Sequence, residues 1–219
     1  MRSYLGDSLL RSSKEAIAID FDDLLVDGNL SREVIHRLNP ELSTRIREAV
    51  LCREISRTDA LATLRTIPQG QCQECIGRAI SAACEGLPWR KGAVPLLKYL
   101  ASLYRVVIVS AGIGDAIEAK LRLDNIDIRV IAPRLAFCEQ ICVGQRMQLS
   151  DYGKGIVVRR LRQLFRTVWA IGHSPGDRHM LTCASNAVVV RVSPTWSYPA
   201  HCHLVNGLED IPPLLQTGQ

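Results

Sequence analysis

The run Ala16-Ile17-Ala18-Ile19 is apolar without interruption and stops at the charge of Asp20, as a parallel strand buried on both faces does where it reaches the edge of its sheet. Four later runs follow the pattern: Val106 to Val109, Ile126 to Ile131 with polar breaks, Val168 to Ile171, and Ala187 to Val192. Helical periodicity fills Asp115 to Leu123 and Gly155 to Phe165 between the later runs. Strand alternating with helix predicts an α/β fold, a Rossmann-like doubly wound parallel sheet, with ligands gathered at the carboxyl ends of its strands.

From about Asp27 to Trp89 the alternation stops, and apolar residues recur at helical spacing instead. The spacing predicts helices over Ser31 to Leu38, Glu41 to Cys52, Ser56 to Thr66 and Cys72 to Cys84, separated by the breakers Asn39-Pro40 and Pro68-Gln69-Gly70. Ser31 and Ser56, the latter followed by Asp59, read as helix starts. The resulting organisation is a core of residues 1–26 and 90–219 with a helical cap of residues 27–89 inserted after the first strand. The tail from Ile211-Pro212-Pro213 to Gln219 reads as a short, loosely fixed end.

With 219 residues, 47% of them apolar, the chain can bury a substantial core. The formal charge of +5 is dispersed, because basic and acidic residues interleave. Arg159-Arg160-Leu161-Arg162 with Arg166 has the spacing of a solvated helix face in preference to a nucleic-acid site, and the charge balance is compatible with a small anionic substrate. No stretch approaches the roughly 20 apolar residues of a membrane span. Met1 to Asp7 lacks the apolar segment of a secretory signal, which makes the cytoplasm the expected compartment. Eight dispersed cysteines read as reduced thiols.

Asp20-Phe21-Asp22 follows the first strand directly, so two carboxylates can converge on one substrate beyond the strand end. That pairing suits covalent phosphoryl transfer: one carboxylate attacks phosphorus while the other protonates the leaving oxygen and later activates water. A D-x-D is common by itself, and an acidic loop is its plain reading. Here it is joined by Ser110-Ala111-Gly112 at the end of the second strand, by Lys154 in Tyr152-Gly153-Lys154-Gly155 at a helix start, and by Gly172-His173-Ser174-Pro175-Gly176-Asp177 at the end of a later strand.

In the order and placement of these four motifs the chain resembles the haloacid dehalogenase superfamily, and its helical insertion between the first and second motifs resembles the phosphoserine-phosphatase-like branch. The resemblance implies that Asp20 is the nucleophile and Asp22 the general acid/base, with the Asp22 carbonyl also on a magnesium ion. It implies that Ser110, with Ala111 and Gly112, binds the phosphoryl group and that Lys154 neutralises nucleophile and phosphate. Asp22 separates the phosphatases and phosphomutases of the superfamily from its dehalogenases, so the bond cleaved is one to phosphorus. Arg53-Glu54-Ile55-Ser56-Arg57 resembles the start of a cap helix in that branch, and Ser110 to Asp115 resembles a stretch of the pyrimidine 5′-nucleotidases.

The chain also departs from the pattern. Where the fourth motif usually opens with a metal-binding Asp, this sequence has His173 and keeps only Asp177. The expected metal group is therefore Asp20, Asp22, Asp177 and His173, with Mg2+ the first expectation and Mn2+ or another divalent ion brought in by the imidazole. Leu24 stands where a hydroxyl is usual, and Asp23 adds charge beside the site. Asn29 falls where the phosphoserine enzymes grip the substrate amine with an acid, so a small phosphorylated metabolite other than phosphoserine is expected, contacted by Asn29, Arg53 and Arg57. Against the phosphomonoesterase reading stand two alternatives, a non-catalytic binding or regulatory protein and a phosphotransferase using the same nucleophile. A homodimer is left open.

Cys72-x-x-Cys75 with Cys84, and His201-Cys202-His203, contain zinc-type ligands, but helix-packing cysteines are the expectation, and a redox role for Cys72 and Cys75 lacks the preceding strand. His179 is expected to open a helix on the sheet and His36 to be an exposed helix residue.

Overall fold

The computed structural model describes residues 14–64, 66–191 and 196–217. Its strands are β1 (Glu15–Ile19), β2 (Arg105–Val109), β3 (Arg129–Ile131), β4 (Leu135–Cys138), β5 (Ile141–Gln145), β6 (Thr167–Gly172), β7 (Asn186–Val190) and β8 (Cys202–Val205). Among the described residues, six form one sheet in the order β3-β2-β1-β6-β7-β8, every neighbour parallel. The chain builds outward from β1 through β2 to β3, then crosses to β6 and builds the other way. That reversal opens a crevice beyond the carboxyl ends of β1 and β6.

The helices are α1 (Leu30–Leu38), α2 (Pro40–Leu51), α3 (Arg57–Leu64), α4 (Gln73–Gly86), α5 (Ala93–Leu103), α6 (Gly114–Leu123), α7 (Asp151–Leu164), α8 (Arg178–Cys183) and α9 (Ile211–Thr217). The strands' two-residue period sorts their side chains between two cores. On one face Ile17, Ile19, Ile108, Trp169 and Ile171 pack with Leu97 and Leu100 of α5 and Ile117 of α6. On the other, Ala16, Ala18, Ala170 and Ala187 are small, and Val158 of α7 with Met180 and Leu181 of α8 pack on them. The small face lets α7 pack closely over β6, the neighbour of β1, and Lys154 in its first turn reaches Asp20 just beyond the end of β1.

The first three helices after β1 start on local caps. Asn29 Oδ1 accepts from the Arg32 amide, Asn39 Oδ1 from Leu42, and Ser56 Oγ from Asp59. Asn29, not Ser31, therefore opens α1, and the Ser31 hydroxyl accepts from the Ile113 amide. Entry and exit of this segment are tied together by a bridge between Val26 and Trp89, with Asp27 donating to the Pro88 carbonyl and Arg90 to that of Leu25. Buried Lys120 of α6 donates to the carbonyls of Cys84 and Leu87 at the end of α4, where a cation suits the helix dipole.

Several expectations are corrected. Cys72 and Cys75 form a disulfide at the start of α4, where reduced thiols were expected. The segment after β3 forms an antiparallel hairpin, β4 and β5, turning on Glu139 and Gln140 at positive φ. The usual Asn-Gly or Asp-Gly signal is missing there, which hides the turn from the sequence. Gly70, Gln71 and Gln73 extend this hairpin through backbone hydrogen bonds to Cys142 and Gln140. The third run pairs only over Arg129–Ile131, and α5 was not foreseen. The tail is a helix whose Ile211 and Leu215 are buried, not a loose end. Cys202 and His203 lie on the edge strand β8. His179 is in α8 and His36 is exposed on α1, as expected. The expectations for Met1 to Asp7, for Val192 and for the side chain of Arg57 lie outside the described residues. Among the described residues no helix is long and apolar enough to cross a membrane.

Candidate active site

β1 runs straight into the site, its pairing continued by the Asp20 amide to the Ile171 carbonyl. The chain then turns sharply, with Asp23 at φ 57° donating its amide to the Gly28 carbonyl. An aspartate tolerates this left-handed conformation better than a branched residue would. The turn leaves Asp22 pointing back, where Oδ1 accepts from the Leu30 amide at 2.7 Å. One carboxylate thus joins the strand end to the first turn of α1.

At the end of β2 the Ser110 hydroxyl accepts from the Gly112 amide at 3.0 Å and lies 3.5 Å from Asp22 Oδ2. A Cβ on Gly112 would stand 2.7 Å from that same oxygen and closer still to the Ser31 hydroxyl, so only glycine fits. Ala111 is half-buried between them. From the opposite side, α7 is capped by the Ser150 hydroxyl on the Gly153 amide, and its first turn delivers Lys154. Lys154 Nζ donates to Asp20 Oδ1 and to Asp177 Oδ1, both at 2.8 Å, with all three side chains out of water.

The loop after β6 completes the group. Asp177 Oδ2 accepts from the amides of His173 and Ser174 and from the Ser174 hydroxyl, the arrangement of a capping box. His173 Nδ1 stands 3.3 Å from Asp20 Oδ2 and 3.5 Å from Asp177 Oδ2. It is buried, yet it is directed at neither oxygen well enough to form a hydrogen bond. Asp20, His173 and Asp177 present atoms that all lie within 4.8 Å of one another. A buried nitrogen with no hydrogen-bond partner, set among carboxylate oxygens, is a donor set that fits a divalent ion.

Burial pushes the Asp20 carboxyl up, but Lys154 and the imidazole of His173 outweigh it and hold it below the usual carboxylate value. Asp22, by contrast, is pushed up to about 7 by burial and by the negative charge of Asp20, with the Leu30 amide only partly offsetting them. Burial also works against the charged forms of Lys154 and His173, yet the carboxylates of Asp20 and Asp177 raise both above their ordinary values. Two neighbouring aspartates are thereby driven apart, one toward the anion and one toward the acid. That split is what an attacking group and a proton donor need.

Of the residues singled out from the sequence, Asp20, Asp22, Ser110, Gly112, Lys154, His173 and Asp177 come together. Asn29 instead spends its side-chain oxygen on capping α1, and Arg53 lies exposed in the turn after α2 at φ 60°. Leu24 is wholly buried and packs in the hydrophobic core. Sequence reasoning passed over Ser174, whose Ser-Pro-x-Asp spacing is the signal of a cap, and gave Ser31 the wrong role, since its hydroxyl braces the loop after Ser110. It also missed Trp196, whose Nε1 donates to the His173 carbonyl at 3.0 Å. No local signal could have linked those two.

The chain matches the family described as haloacid dehalogenase-like hydrolase over residues 17–182. No curated protein matches it in sequence. Among solved structures it is similar to a phospho-aspartyl intermediate analogue of phosphoserine phosphatase, with 18% identity, 92% of this chain and 99% of that one covered, and a TM-score of 0.67. Similarity extends to phosphoserine phosphatase from T. onnurineus, at 21% identity, coverage of 93% and 95%, and a TM-score of 0.67. A cytosolic 5′-nucleotidase IIIB bound to cytidine aligns at 15% identity, coverage of 93% and 84%, and a TM-score of 0.63. At these identities the likeness concerns the fold.

Proposed function

This chain belongs to the haloacid dehalogenase-like hydrolases, and we propose from that premise that it is a metal-dependent phosphomonoesterase acting on a small phosphorylated metabolite. The observation that carries the proposal is the split between Asp20, held as an anion beside Lys154, and Asp22, pushed up to about 7.

In the first step an oxygen of Asp20 forms a bond to phosphorus as the ester P–O bond breaks, and Asp22 gives its proton to the leaving oxygen. In the second, Asp22, now a carboxylate, takes a proton from water as the water oxygen attacks phosphorus, which releases inorganic phosphate and restores Asp20. Lys154 holds the nucleophile in place and balances the charge of the incoming phosphoryl group, while Ser110 offers a hydroxyl to a phosphoryl oxygen. Asp20 and His173, positioned by Asp177 and joined by the main-chain carbonyl of Asp22, would hold a divalent ion, which in this family is by habit magnesium. Such an ion supplies positive charge to the phosphoryl oxygens.

Residues 27–89 act as a cap over this crevice, hinged at the Val26 and Trp89 bridge, and exclude bulk water when the substrate is bound. Because Asp22 accepts from the Leu30 amide, and Ser31 receives the Ile113 amide, movement of the cap is felt directly at the acid and at the loop after Ser110. Asn29 and Arg53 contact the substrate only if closure brings them inward.

The test is phosphate release from an aryl phosphate and a panel of phosphometabolites with magnesium, manganese, cobalt or zinc, comparing wild type with Asp20→Asn. Release that disappears in the variant supports a hydrolase working through Asp20. No release from folded wild type with any ion favours the non-catalytic or transferase reading, to which the replacement of a metal-binding Asp by His173 already lends weight.

A further inference from the structure

We infer that the ion-facing pair of this site is Asp20 Oδ2 and His173 Nδ1, a mixed oxygen and nitrogen centre that selects first-row transition ions of the cobalt, nickel and zinc kind over magnesium. The inference rests on the hydrolase reading above and concerns which atoms of the group meet the ion.

The carboxylate oxygens are not equally free. Lys154 takes one lone pair on each of Asp20 Oδ1 and Asp177 Oδ1. Asp177 Oδ2 already accepts three hydrogen bonds, from the two loop amides and the Ser174 hydroxyl, which uses up its lone pairs. Asp177 therefore works as a positioning residue: it folds the His173 loop back on itself and, through Lys154, sets the orientation of Asp20. Among the described side chains of this group, the two donor atoms left without a hydrogen bond are Asp20 Oδ2 and His173 Nδ1, which face each other.

Their spacing is that of a chelating pair. Donors about 2.1 Å from one ion, at angles between octahedral and tetrahedral, stand about 3.0–3.4 Å apart. The observed separation is 3.3 Å. The main chain of His173 is fixed on both sides, since Trp196 Nε1 donates to the His173 carbonyl and the His173 amide donates to Asp177. Magnesium favours oxygen and keeps its waters, whereas imidazole suits the later transition ions. Exchanging the family's carboxylate for this nitrogen therefore inverts the preference.

The experiment uses the full chain freed of metal by a chelator, titrated with cobalt(II) and followed by its visible absorption, with magnesium as competitor. Wild type is expected to bind one cobalt per chain at least about tenfold more tightly than magnesium. His173→Asp should shift the absorption bands and tighten magnesium, while Asp177→Asn should weaken cobalt but leave the band positions in place. If His173→Asp does not fold, His173→Gln reads the same point by removing the nitrogen.

Bands that coincide in wild type and the folded His173 variant overturn the inference, as does magnesium displacing cobalt at equal concentration or a failure to bind cobalt at all. Phosphate release measured on the same samples separates the two readings. Coincident bands with release intact remove nitrogen ligation and leave the hydrolase standing, while a band shift without release supports the mixed centre and counts against the hydrolase.

Discussion

At the ends of β1 and β6, Lys154 stands between Asp20 and Asp177 with all three side chains out of water, whereas on α1 and α4 Arg37 with Glu33 and Arg78 with Glu74 pair across open helix faces. The Arg78 and Glu74 side chains are 68% and 79% exposed, against 6% and 5% for Lys154 and Asp20. Water screens the first kind of pair and adds little to stability by it. A charge in the second kind has lost its water and depends wholly on its partners. The same chemistry thus tolerates change on the helices and forbids it at the strand ends, where geometry must hold for reaction.

The largest expected effect sharpens that contrast at its centre. Asp20→Asn should lower phosphate release by more than about 10³-fold, because an amide does not replace the attacking carboxylate. Next, Lys154→Met should abolish most activity and destabilise the fold by about 3–5 kcal/mol in chemical denaturation, since Asp20 and Asp177 are left buried without their cation. A loss near zero would mean that the buried group is not a unit. Gly112→Ala presses a methyl group between Asp22, Ser31 and Ser110. It should cost about 1–3 kcal/mol, read as a fall in melting temperature, and slow turnover by displacing the acid.

On the insertion the effects should shrink. Asn39→Ala removes the cap of α2, a change worth about 1 kcal/mol by denaturant midpoint, with turnover nearly unchanged. Arg78→Ala should move stability by less than about 0.5 kcal/mol. An Arg78 effect as large as that of Lys154 would break the comparison.

Much of the architecture was legible because it is written in short-range patterns. Short apolar runs marked β1, β2, β6 and β7, and helical spacing with Asn39-Pro40 and Ser56 marked the helices of the insertion to within a few residues. The order of motifs told which strand ends carry Asp20, Ser110 and His173 and which helix start carries Lys154. Elements that rely on weak local signals escaped, among them the β4 and β5 hairpin with its unusual turn residues and the tail helix α9, whose two prolines disguise it.

The sequence by itself determined that this is a doubly wound parallel sheet with a helical insertion and that its acidic motif lies at a strand end, because periodicity and capping depend on residues only a few positions apart. Tertiary structure alone decided that one lysine spans Asp20 and Asp177, that Asp177 Oδ2 accepts three hydrogen bonds while His173 Nδ1 makes none, and that Trp196 braces the main chain of the histidine. Those facts join residues as far as 134 positions apart, and what brings such residues together is the order of strands in the sheet, which no local pattern encodes.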